Sequence, residues 1–95
     1  MVDLKYKDDF YYLYSVVQST HHGDTCHPSE FLPERLKSDW LDPYLVLRKD
    51  HYIQMSENKF RLTPFGRHYL DVLRAMMDVE LEYIGWKIDN YHLLN

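Results

Sequence analysis

The sequence predicts a mainly helical chain that carries one small β-hairpin, an α+β fold. Apolar residues recur at helical spacing near the start, between residues 5 and 18. Apolar and polar residues alternate on both sides of the polar turn Ser56-Glu57-Asn58, which is the pattern of two half-buried strands. Directly afterwards comes Thr63-Pro64, a pair that typically begins a helix.

Length and composition set the class of protein. Ninety-five residues allow one domain, and a hydrophobic share of 45% with nine tyrosines and four phenylalanines indicates a globular chain. A single cysteine excludes an internal disulfide framework and favours a reducing compartment. No run approaches the roughly 18 to 20 apolar residues that span a bilayer, and the N-terminal MVDLKYKDD lacks a signal-peptide apolar stretch. We therefore expect a cytoplasmic protein with no membrane contact.

The first helix is predicted from Lys5 to Gln18. Its apolar side consists of Tyr6, Phe10, Leu13, Tyr14 and Val17. Its other side consists of Lys7, Asp8, Ser15 and Gln18. A stripe of aromatic residues at helical spacing is typical of packing against a core, so the tyrosines are expected to be structural.

The segment from Ser19 to His27 is predicted to be a polar loop. It holds four side chains of types that zinc accepts, namely His21, His22, Cys26 and His27. Two adjacent pairs within one tight loop do not match the spaced pairs of structural zinc sites, so we expect no metal and no cofactor. A metal-responsive or redox-responsive sensor built on these four residues stays open as an alternative.

Two shorter helices are expected next. The second should lie within residues 29–37, capped by Ser29 or Glu30 and with Pro33 in its first turn. Residues 38–40 would then form a turn in which Trp40 is buried between helices. The third helix is predicted to begin with Asp42 as N-cap and Pro43 as first residue and to run through Lys49.

The hairpin is predicted from strands at residues 51–55 and 59–62. On one face lie Ile53 and Met55 of the first strand and Phe60 and Leu62 of the second. Asn58 is the turn residue best suited to a positive φ angle.

The last helix is predicted to start at Pro64 and continue to about His92, roughly 40 Å at 1.5 Å per residue. Apolar residues at spacings of three and four continue beyond the core, which predicts a homodimer. Its interface would consist of Met77, Leu81, Ile84, Ile88 and Tyr91, widened by Met76, Val79, Tyr83 and Trp86. The alternative is a helix that breaks at Gly85 and folds back on its own core.

One run carries a family resemblance. It reads Phe60-Arg61-Leu62-Thr63-Pro64-Phe65-Gly66-Arg67, followed by Tyr69-Leu70. Together with the order of helix, tight hairpin and second helix, it resembles the wing of the winged helix-turn-helix family, including PadR-like and MarR-like regulators. The resemblance covers roughly residues 10 to 75. It implies a winged-helix domain over residues 1–75 and a dimerisation helix over residues 76–95 that is continuous with it.

The resemblance also implies a function, binding of double-stranded DNA by a symmetric dimer that regulates transcription. The third helix would then bring Tyr44, Arg48 and Lys49 to the major groove. The hairpin would bring Gln54, Asn58, Lys59 and Arg61 to the minor groove or the backbone. Phosphate contacts would come from Arg35 and Lys37.

Charge is unevenly distributed along the chain. The net charge is −4, and it divides into −4 for residues 1–34, +3 for residues 35–74 and −3 for residues 75–95. The predicted DNA-binding residues thus lie in the one positive section. An acidic total and the acid at Asp42 also favour an alternative, a winged-helix domain that contacts a protein partner and does not bind DNA.

Motifs of enzymes are missing from the sequence. It has no glycine-rich phosphate loop, His-Glu-x-x-His helix, Cys-x-x-Cys pair or nucleophile elbow. The neighbouring acids Asp8 and Asp9 point in different directions on a helix, which does not suit a catalytic carboxylate pair. We therefore expect that the protein is not an enzyme.

Overall fold

The computed structural model describes residues 2–89, the side chain of Asp89 excepted, and is mainly helical with a two-stranded antiparallel sheet. In chain order the elements are α1 (Leu4–His21), a 3-10 turn (Pro28–Phe31), α2 (Glu34–Lys37), α3 (Leu41–Lys49), β1 (Ile53–Ser56), β2 (Lys59–Leu62), α4 (Pro64–Met77) and α5 (Leu81–Asp89). The predicted α+β class is confirmed. Across residues 2–89, no helix is both long and apolar enough to cross a membrane.

Helix α1 is the centre of the core. It covers the predicted range and extends it at both ends, and nine of its 18 residues are buried. The prediction that Ser15 and Gln18 lie on a polar side is wrong, because both are buried. The Ser15 hydroxyl lies 2.5 Å from the Tyr44 hydroxyl of α3 and donates to the Tyr12 carbonyl at 2.6 Å. A buried polar side chain with such partners avoids the cost of lost hydration.

The second predicted helix is two short pieces. The 3-10 turn ends before Leu32, whose extended backbone (φ −80°, ψ 152°) separates it from α2. The residue before a proline is disfavoured in the α region, which explains why Pro33 interrupts the helix. The cap is also different from the prediction, since the His27 side chain accepts a hydrogen bond from the Ser29 N–H.

Helix α3 begins one residue before the predicted N-cap, so Asp42 lies within its first turn and does not cap it. Its end is defined by two backbone hydrogen bonds, from Tyr52 N–H to the Leu47 carbonyl and from His51 N–H to the Arg48 carbonyl. With His51 at φ +65°, this is a Schellman motif. The motif uses residues that were predicted to be the start of the first strand, and β1 therefore begins only at Ile53.

The hairpin pairs the residues that were predicted to share a face. Ile53 pairs with Leu62 and Met55 pairs with Phe60. Positive φ angles occur at Asn58, as predicted, and also at Glu57, so the two-residue turn is of the type that matches strand twist.

Helix α4 starts as predicted. The Thr63 hydroxyl accepts a hydrogen bond from the Gly66 N–H at 3.0 Å, and Pro64 is the first helical residue. Gly66 packs directly on the backbone of Tyr52, where a Cβ would lie 1.9 Å from the Tyr52 carbonyl oxygen. The glycine therefore allows α4 to touch the segment that leads into the hairpin.

The prediction of one continuous helix to about His92 is wrong. Helix α4 ends at Met77, and α5 starts at Leu81 and lies against α1. The chain therefore bends before Gly85 and not at it. Folding back onto its own core was the alternative that the sequence left open. Aromatic packing explains it: the Tyr83 ring lies 5.1 Å from the Phe10 ring, and the Trp86 ring lies 5.5 Å from the Tyr14 ring.

Ion pairs hold α5 in this position. Lys7 of α1 lies 3.0 Å from the Glu80 carboxylate and 3.4 Å from that of Glu82. Arg35 of α2 bridges Glu82, at 2.5 Å, and Asp8 of α1, at 2.7 Å. The contacts to Lys7 and Arg35 lower the pKa values of Glu80 and Glu82, respectively, below their usual range. As far as residue 89, the C-terminal segment therefore belongs to the same core as α1.

Candidate nucleic-acid interface

A groove separates the outer side of α3 from the hairpin. Its volume is about 460 Å³, and its lining includes Arg48 of α3 with Asn58 and Lys59 of the hairpin turn and β2. These are three of the residues predicted to contact DNA. They are brought together because β1 follows α3 after the Schellman motif and the tight turn then returns the chain beside it. We call this cavity the α3–hairpin groove.

Five of the nine predicted DNA-binding side chains are exposed on α3 and the hairpin. Within residues 2–89, none of the five has an ion pair shorter than 3.9 Å. They are Arg48, Lys49, Gln54, Asn58 and Lys59. The one ion pair among them joins Lys59 Nζ to the Asp24 carboxylate at 3.9 Å, and the Lys59 side chain remains 48% exposed. These residues supply three cations and two amides to solvent, which suits contacts to phosphate oxygens.

Tyr44 is not part of this surface, and its predicted place in the major groove is wrong. It is fully buried, stacks on Phe60 with ring centroids 5.3 Å apart, and shares a hydrogen bond with Ser15. Burial raises the pKa of its hydroxyl. Tyr44 and Leu47 lie three residues apart on the core side of α3, so the spacing itself indicates a packing role.

Arg61 is held by an acid that the sequence did not connect to it. Its guanidinium donates two hydrogen bonds of 2.8 Å to the two carboxylate oxygens of Asp24. This bidentate contact holds the pKa of the Asp24 carboxyl below its usual range. The pair links the loop after α1 to β2. It also neutralises the guanidinium charge that was predicted to contact DNA.

The remaining two predicted phosphate contacts differ from each other. Arg35 is bound by Asp8 and Glu82, so its charge serves the packing of α5 rather than the predicted surface. Lys37 is exposed, and its Nζ lies 3.4 Å from the Glu34 carboxylate one helical turn away. Exposed pairs of this kind contribute little to stability and can exchange partners.

Two of the three histidines in the predicted loop contact aromatic rings. His22 stacks on Phe31 with ring centroids 5.2 Å apart, and His27 lies 4.5 Å from the Trp40 ring. Burial lowers the pKa of His27. Within residues 2–89, no three His, Cys, Asp or Glu side chains are placed to hold a metal ion.

The other side of α3 is acidic. A second cavity of about 400 Å³ separates α1 from α3 and is lined by four carboxylates, from Asp8, Asp9, Asp42 and Asp50. Two of them have partners: Asp9 pairs with Lys5 at 3.0 Å and accepts from the Tyr69 hydroxyl at 2.6 Å, while Asp8 pairs with Arg35. Asp42 and Asp50 thus line the opposite side of α3 from Arg48, so we expect an anion to approach from the hairpin side.

The predicted dimer residues have different environments. Met77 is fully buried within the chain and is not available to a partner, and Tyr83 and Trp86 of the widened interface are buried as well. Leu81 is 82% exposed and Ile88 69%, and Ile84, Met76 and Val79 are also exposed. Tyr91 lies outside the described residues. The sequence pattern thus identified exposed apolar residues on α5 but also assigned three buried residues to the interface, namely Met77, Tyr83 and Trp86.

The apolar part of the α3–hairpin groove was not predicted from the sequence. Leu41 and Leu45 are 51% and 45% exposed, and both line the groove. A signal was present, because α3 has more apolar residues than one buried face requires, and Leu41, Leu45 and Arg48 follow at the spacing of a single face.

The arrangement places exposed cations and amides beside an apolar surface. The fold and this face define a small α+β protein with a candidate binding surface on α3 and the hairpin. Comparison of the chain with protein-family models, with curated proteins and with solved structures finds no match.

Proposed function

We propose that the chain is a winged-helix protein that binds double-stranded DNA through α3 and the hairpin and acts as a transcriptional regulator in the cytoplasm. The observation that carries this proposal is the grouping of Arg48, Asn58 and Lys59 around one groove. The order of α1, two short helices, hairpin and α4 is also the order expected for that family.

Phosphate contacts are the main source of affinity in this proposal. Arg48 and Lys49 at the end of α3 and Lys59 beside the hairpin turn provide the charges, and Gln54 and Asn58 provide hydrogen-bonding groups. Neutralising each phosphate releases counterions, so binding should weaken steeply as salt rises. Arg35, Arg61 and Tyr44 have no role in the revised interface.

We also propose that two copies associate through the outer face of α5. Leu81, Ile84 and Ile88 form an exposed apolar stripe there. Burying such a stripe against the same stripe of a second chain would give a closed, two-fold dimer with two DNA-binding faces. The revised interface omits Met77.

Replacing Lys59 by alanine should weaken binding to duplex DNA by about eightfold at about 0.1 M salt for each protomer that contacts the duplex, equally for all sequences, because each protomer loses one phosphate contact. The slope of log affinity against log salt should fall by about one unit per contacting protomer. Fluorescence anisotropy with several unrelated duplexes measures both quantities.

The matched control is Lys87→Ala, which removes an equal charge from α5, where Lys87 Nζ lies 5.6 Å from the Tyr83 ring. This variant should keep the wild-type slope. Equal effects of the two substitutions would mean that total charge, and not the hairpin, determines DNA binding.

A second candidate function is a winged-helix module for protein contacts that does not bind DNA. The exposure of Leu41, Leu45 and Met55 on the α3–hairpin groove favours it, since apolar side chains grouped on a binding face are typical of protein interfaces. Retention of a protein ligand without any DNA binding at low salt would support this candidate over the first.

A further inference from the structure

The α3–hairpin groove combines an apolar lining with a basic edge. Its large apolar members are Trp40, Leu41, Leu45, Met55 and Phe60. The pocket is open to solvent along α3, where Leu41 and Leu45 are about half exposed, and beside β1, where Met55 is 42% exposed. A volume of about 460 Å³ is within the range of pockets that enclose several side chains or a small ligand.

The charges of the groove favour an acidic partner. Arg48 and Lys59 line it as cations, and Arg48 has no acid within ion-pair distance among residues 2–89. Asp24 is the one carboxylate in the lining, and its charge is balanced by the bidentate contact to Arg61. Asp42 of α3 and Asp50 directly after it line the cavity on the other side of the helix. A neutral or basic ligand would leave Arg48 without an acidic partner and Lys59 with only its contact of 3.9 Å to Asp24.

We propose that the α3–hairpin groove binds an acidic amphipathic peptide segment of a partner protein. Its apolar side chains would pack against Leu41, Leu45 and Met55, and its carboxylates would face Arg48 and Lys59. Anchors at the spacing of a helix face are the usual way in which a peptide fills such a groove. This inference does not depend on DNA binding, but both ligands use Arg48 and Lys59, so such a peptide competes with DNA for the same face.

The test is selection from a random peptide library displayed against the full chain, followed by affinity measurement for the enriched peptides as labelled synthetic peptides. The expected result is enrichment of peptides with several Asp or Glu and at least two large apolar residues. Leu45→Ser should weaken their binding about tenfold or more, as loss of a central anchor does. Leu45 is half exposed, so this variant should keep the wild-type unfolding midpoint.

The matched control is Val72→Ser, which changes an exposed apolar residue of α4 outside the groove and outside the proposed dimer face, and it should leave peptide affinity unchanged. Three results would overturn the inference: no enrichment above a blank support, enrichment of basic peptides, or binders that are sensitive to Val72→Ser and not to Leu45→Ser. A wild-type chain that binds DNA but no peptide would overturn this inference and leave the proposed function intact. A wild-type chain that binds acidic peptides but no DNA would support this inference and contradict the DNA-binding proposal.

Discussion

Replacing Gly66 by alanine is expected to destabilise the protein by about 3 kcal/mol or more, because the new methyl group has no room. A Cβ at this position would lie 1.9 Å from the carbonyl oxygen of Tyr52 and 2.8 Å from its carbonyl carbon. The obstacle is backbone, so relief requires that α4 move away from the segment before β1. That movement would strain the hydrogen bond of 3.1 Å from Thr63 N–H to the Tyr52 carbonyl.

Gly85→Ala is the matched control, since Gly85 is also a helical glycine, and a Cβ added there would have no atom within 4 Å among its described surroundings. There alanine should raise the free energy of unfolding by about 0.5 to 1 kcal/mol through its better helix propensity. Urea unfolding followed by circular dichroism measures both changes. A Gly66→Ala variant as stable as the wild type would contradict the contact between α4 and Tyr52.

Trp86→Ala is expected to cost about 3 kcal/mol of stability, because the indole is part of the core. Trp86 is only 8% exposed, and its ring centroid lies 5.5 Å from those of both Tyr11 and Tyr14. For a domain whose total stability is of the order of 5 to 10 kcal/mol, this is a large fraction. The urea midpoint should fall while the dependence of the unfolding free energy on urea stays the same.

The control on the same helix is Ile84→Ala, which removes an exposed apolar side chain. It should change the stability of the monomer by no more than about 0.5 kcal/mol. If the C-terminal segment were instead a helix extending away from the core, Ile84→Ala and Trp86→Ala would have similar, small effects on a dilute, monomeric sample.

The hairpin and the start of α4 could be predicted because their signals are local. Alternation of Ile53 with Met55, the turn residue Asn58 and the capping pair Thr63-Pro64 act within a few residues of one another. The position of Gly66 in the motif was also visible, but its reason was not, since the close approach to Tyr52 depends on how α4 lies against the end of α3.

The direction of α5 could not be predicted, because its sequence has two apolar faces. One contains Leu81, Ile84 and Ile88, and the other contains Tyr83 and Trp86. Helical spacing supports either face. The aromatic face is the buried one, where Phe10, Tyr11 and Tyr14 of α1 provide matching rings.

The sequence also did not show which arginines of the candidate site are bound by acids. Arg61 and Asp24 are separated by 37 residues, and Arg35 and Glu82 by 47. Sequence spacing gives no sign of such pairs, so the family resemblance implied a phosphate contact for Arg35 and a contact to the minor groove or the backbone for Arg61. The structure leaves the cations of α3 and the hairpin turn as the ones exposed on the candidate face.

The most direct test of the central claim is the binding of the wild-type protein to random-sequence duplex DNA across a salt series, with its mass in solution measured in parallel. We expect a dimer whose affinity falls steeply as salt rises, because phosphate contacts from Arg48, Lys49 and Lys59 on each chain release counterions. Absence of binding at low salt would contradict DNA recognition by this face, since the non-specific phosphate contribution requires no particular sequence.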